Sequence, residues 1–248
     1  VGDGVELSSQ RTIETIEAKP AWNAFRAQLT ETQTLAWDMT ELWLVGANVT
    51  VTVGDLLLIV APNGSGYDAS IRRVTVVESS READRARVFL ATISTSAGSV
   101  SASKPGVYVM RSTVSPFGHN APLQPQYSSG VFQGTFSEWA LDGAELDSLL
   151  TLSSRNDKIL DNSFVVIEQD DPDSGSRMWT FATVTAVTHR SVARYGLAGN
   201  GTRLSLSTGW TKNADSKLDL LRTMTVAAQS EEIALAERPL SYPVYGET

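Results

Sequence analysis

The run Leu56-Leu57-Leu58-Ile59-Val60-Ala61 is the longest uninterrupted apolar stretch in the chain, and its reading decides the fold. Its length falls far short of the roughly 20 residues that a membrane-spanning helix requires. Gly54-Asp55 precedes it and the turn sequence Asn63-Gly64-Ser65-Gly66 follows, which makes it a short strand between turns. Working outward, Leu42-Trp43-Leu44-Val45, residues 49–53, 71–77, 87–90 and 107–114 are further β-branched or apolar runs. Gly46-Ala47-Asn48 and Arg81-Glu82-Ala83-Asp84 separate them. Strands broken by turn signals every 8 to 12 residues or so are the pattern of a sandwich or small barrel.

A second set of strands follows in the same order. Leu42-Trp43-Leu44 returns 108 positions later as Leu150-Thr151-Leu152, and Leu56-Leu57-Leu58-Ile59 returns at the same spacing as Phe164-Val165-Val166-Ile167. Val74-Thr75-Val76-Val77 matches Val184-Thr185-Ala186-Val187 at 110, and Arg87-Val88-Phe89-Leu90 matches Arg203-Leu204-Ser205-Leu206 at 116. Ser112-Thr113-Val114 is matched with Met224-Thr225-Val226 at 112. The differences in spacing fall in loops, where insertions cost little. The expectation is an all-β protein with minor helix: two tandem small β-barrel-like domains related by internal duplication, plus a short N-terminal helix.

The boundaries follow. Residues 1–36 are a lead-in in which 12–16 can be extended and a helix can start at Pro20, with Trp22, Phe25 and Leu29 on one stripe. Residues 37–114 form the first β domain, and 150–248 the second with a C-terminal exit strand at 233–245. Between them, residues 115–149 are rich in Pro, Gly and Ser, yet Phe117, Tyr127, Phe132, Phe136 and Trp139 punctuate them, so this bridge is expected to lie packed along the units.

Length agrees, since 248 residues at roughly 150 per domain give one to two domains. The absence of Cys excludes a disulfide scaffold, thiolate chemistry and Cys-based zinc sites. Lys plus Arg number 20 against 28 for Asp plus Glu, a net charge of −8 that argues against nucleic acid as a partner. The N-terminus Val1-Gly2-Asp3-Gly4 has neither a basic nor an apolar region, so a signal peptide is not expected in this stretch.

Candidate chemistry is sparse. Glu168, Asp170, Asp171 and Asp173 resemble a calcium loop, but Asp171-Pro172-Asp173-Ser174-Gly175 lacks the closing Glu and reads as a hairpin loop. Gly196, Gly199 and Gly201 stand in the wrong order for a phosphate cradle; a helical turn begun at Ser191 and ended by glycine is expected instead. His119, in Phe117-Gly118-His119-Asn120-Ala121-Pro122, is expected to bond the backbone in a turn, and His189 lies in no recognisable motif. Exposed aromatics could stack on sugars. Trp43 should face away from Leu42 and Leu44, and Trp210 should lie on a loop. No residue is assigned a catalytic, cofactor-binding or metal-ligating role.

Thr12-Ile13-Glu14-Thr15-Ile16-Glu17-Ala18-Lys19-Pro20-Ala21-Trp22-Asn23 resembles a stretch of the baseplate assembly proteins of phage-tail-like contractile injection systems. So do Gly54-Asp55-Leu56-Leu57-Leu58, the 117–122 motif, Tyr195-Gly196-Leu197-Ala198-Gly199, and Thr225-Val226-Ala227-Ala228-Gln229-Ser230-Glu231-Glu232, in that order along the chain. Asp161-Asn162-Ser163 and Ser191-Val192-Ala193-Arg194-Tyr195 depart from it, both in loops. The resemblance implies a structural baseplate component without catalysis or cofactor. It would be an internal piece of a longer chain, assembled in the bacterial cytoplasm into a tail-like particle that can be released. Its partners would be other baseplate and tail proteins, with no nucleic acid and no membrane insertion, and the piece alone would be a monomer. The alternative expectation is a carbohydrate-binding module that recognises a target for such a particle.

Overall fold

The computed structural model describes residues 30–81, 83–95, 105–145, 148–171, 174–211 and 218–240. The expected N-terminal helix at Pro20, the stretch 12–16, Asp173, and the end of the exit segment lie outside them. The strands in chain order are β1 (Thr30–Glu31), β2 (Glu41–Val45), β3 (Leu56–Asn63), β4 (Gly66–Ser80), β5 (Arg85–Thr95), β6 (Gly106–Val114) and β7 (Gln124–Ser128). Next come β8 (Val131–Ser137), β9 (Leu149–Leu152), β10 (Phe164–Asp170), β11 (Arg177–Arg194), β12 (Leu197–Leu206), β13 (Thr225–Glu232) and β14 (Arg238–Pro239). Helix is confined, among the described residues, to a 3-10 turn at Gly143–Glu145 and a single turn α1 (Asp219–Arg222). Two compact units divide the chain. In one, made from residues 1–33 and 237–248, β1 pairs antiparallel with β14. The other, Thr34–Ala236, holds everything else.

Ten strands of the larger unit form one sheet in the order β2-β5-β4-β3-β6-β13-β10-β11-β12-β9. Read from each end inward, the two halves have the same order of first, fourth, third, second and fifth strand. Registers agree as well. Leu42 pairs with Val88 and Leu150 with Leu204, partners 108 and 116 positions apart, as the strand motifs are. The ladder β4/β5 passes from Val74↔Leu90 to Val76↔Phe89, and β11/β12 from Val184↔Leu206 to Ala186↔Ser205. Each skips one residue, a bulge that bends the strand. The skipped Thr75 and Thr185 donate their hydroxyls to Phe89 O and Ser205 O, both at 3.1 Å. Before each second strand the same clasp recurs: Gly54 and Asn162, both at positive φ, donate N–H to Val74 O (2.9 Å) and Val184 O (2.7 Å).

Three expectations are corrected here. The five-strand sets do not close into separate barrels: β6 pairs with β13, which makes one sheet of both and leaves β2 and β9 at its ends. Edge backbone groups need partners, and these sets satisfy theirs against each other. Isolated bridges, Leu44↔Leu235 and Pro116↔Leu152, hold the end strands. Second, Leu58↔Tyr108 and Val166↔Ala227 put the equivalent of Tyr108 at Ala227, a spacing of 119 and not 112. Residues 112–114 face 226–228 across the β6/β13 ladder, and the expected match with 224–226 is out of register with the two halves. Third, residues 49–53 form a loop between Gly46 and Gly54, both at positive φ. Arg111 supplies what a neighbouring strand would have supplied, donating to the carbonyl of Thr50 and, at 2.6 Å, to its hydroxyl.

The core explains the opening run. Leu57, Ile59 and Ala61 pack with Leu42, Leu44, Val88 and Val109 in one cluster, while Leu58 and Val60 pack with Ile71, Met110, Phe164 and Val166 in another. Successive side chains of a strand point to opposite faces, and both faces of β3 are covered. Val165 and Ile167 enter a third cluster with Leu150, Leu204 and Trp210.

Candidate interaction surface

The motif at 117–122 and the one at 195–199 are far apart in sequence and adjacent in space. Ser191–Arg194 ends β11, and Tyr195-Gly196, both at positive φ, make a tight turn into β12. This corrects the expected helical turn: from Ala186↔Ser205 the β ladder runs without interruption to Arg194↔Leu197, and a residue pair at positive φ is the hairpin solution. The turn lies against the 117–122 loop. A Cβ on Gly118 would stand 2.8 Å from the Tyr195 ring, so only glycine fits. Trp139 completes the joint, with its ring 6.2 Å from that of Tyr195 and its Nε1–H donating to Pro122 O at 2.7 Å. Below, Glu145, 3% exposed, accepts from Thr151 N–H at 2.6 Å, from the Thr151 hydroxyl, and from Arg194 Nη1 at 2.7 Å. Burial works against the Arg194 charge, but Glu145 and Asp142 outweigh it and hold its pKa above the ordinary value. Burial likewise pushes the Tyr195 phenol up, and its oxygen accepts the Asp142 N–H at 2.9 Å.

From this braced base rises the two-stranded sheet β7/β8. Ser129 and Gly130, at φ 50° and 79°, form its turn, the geometry whose twist matches paired strands. Its side chains are not packed along the units as expected: Tyr127 and Val131 are each 64% exposed, Phe136 59% and Phe132 44%. The rings touch one another, Tyr127 to Phe132 at 5.8 Å and Phe132 to Phe136 at 5.4 Å, tilted by 56° and 59°. Residues 112–137 carry no Asp, Glu, Lys or Arg. Aromatic enrichment with charge depletion is the composition of an interface centre. The sequence carried this signal, but packing and exposure of an aromatic leave the same local pattern.

The titratable groups sort differently. His119 Nδ1 lies 2.9 Å from Pro116 O, a bond to the backbone of its turn. His189 stands between Asp157 (Nε2 to Oδ1, 3.2 Å) and Thr202 (Nδ1 to Oγ1, 3.2 Å), an arrangement that imitates a nucleophile triad. Thr202, however, is fully buried, accepts from Asn156 N–H at 2.8 Å and donates to Ser154 O at 3.1 Å, so its hydroxyl has no path to a substrate. Glu168 and Asp170 are held by the Arg177 guanidinium, at 2.9 and 2.7 Å, and not as a calcium loop would hold them. The hydrogen bond to Asp170, opposed by desolvation and joined by the bond to Glu168, raises the Arg177 pKa. Asp171 closes the hairpin, its carbonyl accepting from Gly175 N–H at 2.7 Å. Gly196 sits in the turn, and Gly199 and Gly201 lie in β12. Trp43 faces away from the buried Leu42 and Leu44, beneath the Arg87 guanidinium at 5.5 Å. Trp210 is 1% exposed and donates Nε1–H to Leu149 O, so it is a core residue. No helix of the described residues is long and apolar enough to cross a membrane. No family model, curated protein or solved structure matches this chain.

Proposed function

We propose that this chain is a structural protein-interaction module of the baseplate of a contractile, phage-tail-like particle, assembled in the bacterial cytoplasm and performing no chemistry of its own. The observation that carries the reading is the uncharged β7/β8 hairpin with Tyr127, Val131, Phe132 and Phe136 exposed on a braced base. An isolated two-stranded hairpin is marginal in water, and covering those rings against another protein both stabilises it and gives the partner an anchor. The motif resemblance points to baseplate and tail proteins as those partners. Matched strand orders, registers and bulges favour a duplicated five-strand unit as the origin of the two halves. Carbohydrate recognition is the second reading, favoured by the same exposed rings. Tilts of 56° and 59° give no flat platform for a sugar and weigh toward protein.

A photo-crosslinking residue at Phe136 in cells producing the particle tests the proposal. An adduct with a baseplate or tail protein is expected. Adducts only with polysaccharide, or retention on a glycan array that Tyr127→Ser removes, would replace it by the carbohydrate reading.

A further inference from the structure

The matched registers allow the two halves to be compared position by position across the β6/β13 ladder. At one end of that ladder, drawn from both halves, Phe164 lies in an aromatic cluster, 5.2 Å from Tyr67, 4.9 Å from Tyr108 and 5.5 Å from Phe181. The ladders β3/β4 and β10/β11, with β3/β6 and β10/β13, identify the counterparts at the other end. Leu56 replaces Phe164, Ala227 replaces Tyr108, Arg177 replaces Tyr67 and Ile71 replaces Phe181. Four rings are thus absent where the backbone is arranged alike. Two of these counterparts, Leu56 and Ala227, floor a cavity of about 320 Å³ together with Met110 and Val166, and Trp179 and Arg73 wall it.

We propose that this cavity receives an aromatic side chain of a partner protein, its ring taking the place that Phe164 and Tyr108 fill at the other end of the ladder. The volume suffices, since an apolar cavity of about 150 Å³ already takes up a benzene. Trp179 offers a ring for edge or offset contact, and the Arg73 guanidinium, 6.0 Å from the Trp179 ring centroid, adds a cation to the wall. The polar rim is already satisfied within the chain: Arg73 donates to Gly54 O at 3.3 Å, and Glu168 is held by Arg177 at 2.9 Å and by the Thr225 hydroxyl at 3.3 Å. What the cavity lacks is apolar volume, which is the role of an aromatic anchor in an interface pocket. The inference deepens the interaction-module reading and rests on it for the protein origin of the ring.

The test titrates the whole chain with N-acetyl-phenylalanine amide while methyl resonances of Met110, Val166 and Ala227 are followed. Saturable shifts at millimolar concentration are expected, with N-acetyl-leucine amide binding roughly tenfold more weakly. Leu56→Phe installs the residue of the equivalent position; it should keep the wild-type melting temperature and lose the shifts. Ala227→Tyr serves as the second filling variant should Leu56→Phe not fold. Shifts that fail to saturate, equal binding of the leucine amide, or a wild-type response in both filled variants overturns the cavity. A dimer in the wild type that Leu56→Phe dissolves would assign the ring to a second copy and overturn the separate partner. A hairpin crosslink without ring binding defeats only the cavity proposal. Ring binding with no protein crosslinked at Phe136 defeats the module reading itself.

Discussion

Replacing Glu145 with Ala removes a buried acceptor shared by three donors. Three donors lose their acceptor: the Thr151 amide, the Thr151 hydroxyl and Arg194 Nη1. A buried neutral donor left unpaired costs about 1–3 kcal/mol and a charged one more, while breaking a buried ion pair by removing one partner costs about 3–5 kcal/mol. Asp142, 3.5 Å from Arg194 Nε, keeps part of the cation's compensation. The expected loss for Glu145→Ala is therefore about 4 kcal/mol. For Glu145→Gln it is about 2 kcal/mol, because the amide retains one acceptor but presents an N–H to donors. Urea denaturation of both variants measures these values. Adding Arg194→Met to Glu145→Ala should recover about 2 kcal/mol, since the uncompensated buried cation is the main cost. If Glu145→Ala costs under about 1 kcal/mol, or the double variant is additive, the network does not brace the base of the hairpin and the reasoning fails.

Gly118→Ala drives a Cβ to 2.8 Å from the Tyr195 ring and 3.1 Å from Leu218 at a φ of +97°; it should destabilise by about 2 kcal/mol or more, whereas Gly130→Ala, at positive φ in open space, should cost about 1 kcal/mol by the same denaturation assay. Thr75→Val and Thr185→Val each remove the bulge hydrogen bond and should lose about 1 kcal/mol apiece; effects differing in sign would contradict the equivalence of the two bulges. The Arg111 hydrogen bond and charge lower the Glu231 pKa. A carboxylate with a depressed folded pKa contributes stability that is present above its unfolded value and lost as pH falls through the folded one. The melting-temperature gap between wild type and Glu231→Gln should accordingly close on acidification, and a gap that widens would refute the pairing.

Most of the β architecture was legible locally. Leu42-Trp43-Leu44 alternates because one of its faces is buried, and the spacings of 108, 110 and 116 survive as ladder registers. The exception is instructive. Residues 112–114 and 224–226 look like repeats because short strand segments share a composition, and only the pairing of β6 with β3 and of β13 with β10 reveals the spacing of 119. Residues 49–53 have strand composition but pair with no strand among the described residues, and propensity yields to the Arg111 contact.

By itself the sequence determined the period of each segment, the turns between strands, the repeated order, and the poverty of reactive side chains. These are properties of neighbours along the chain: the two-residue alternation of a strand and the special backbone angles of its turns. The tertiary structure alone decided that the two sets share a sheet, that both faces of β3 are covered, and that Tyr127, Phe132 and Phe136 remain uncovered. It also decided that one end of the central ladder is filled by rings while the other holds a cavity. Burial depends on which distant segments meet, and an aromatic residue carries the same local pattern whether its ring is packed inside or left for a partner.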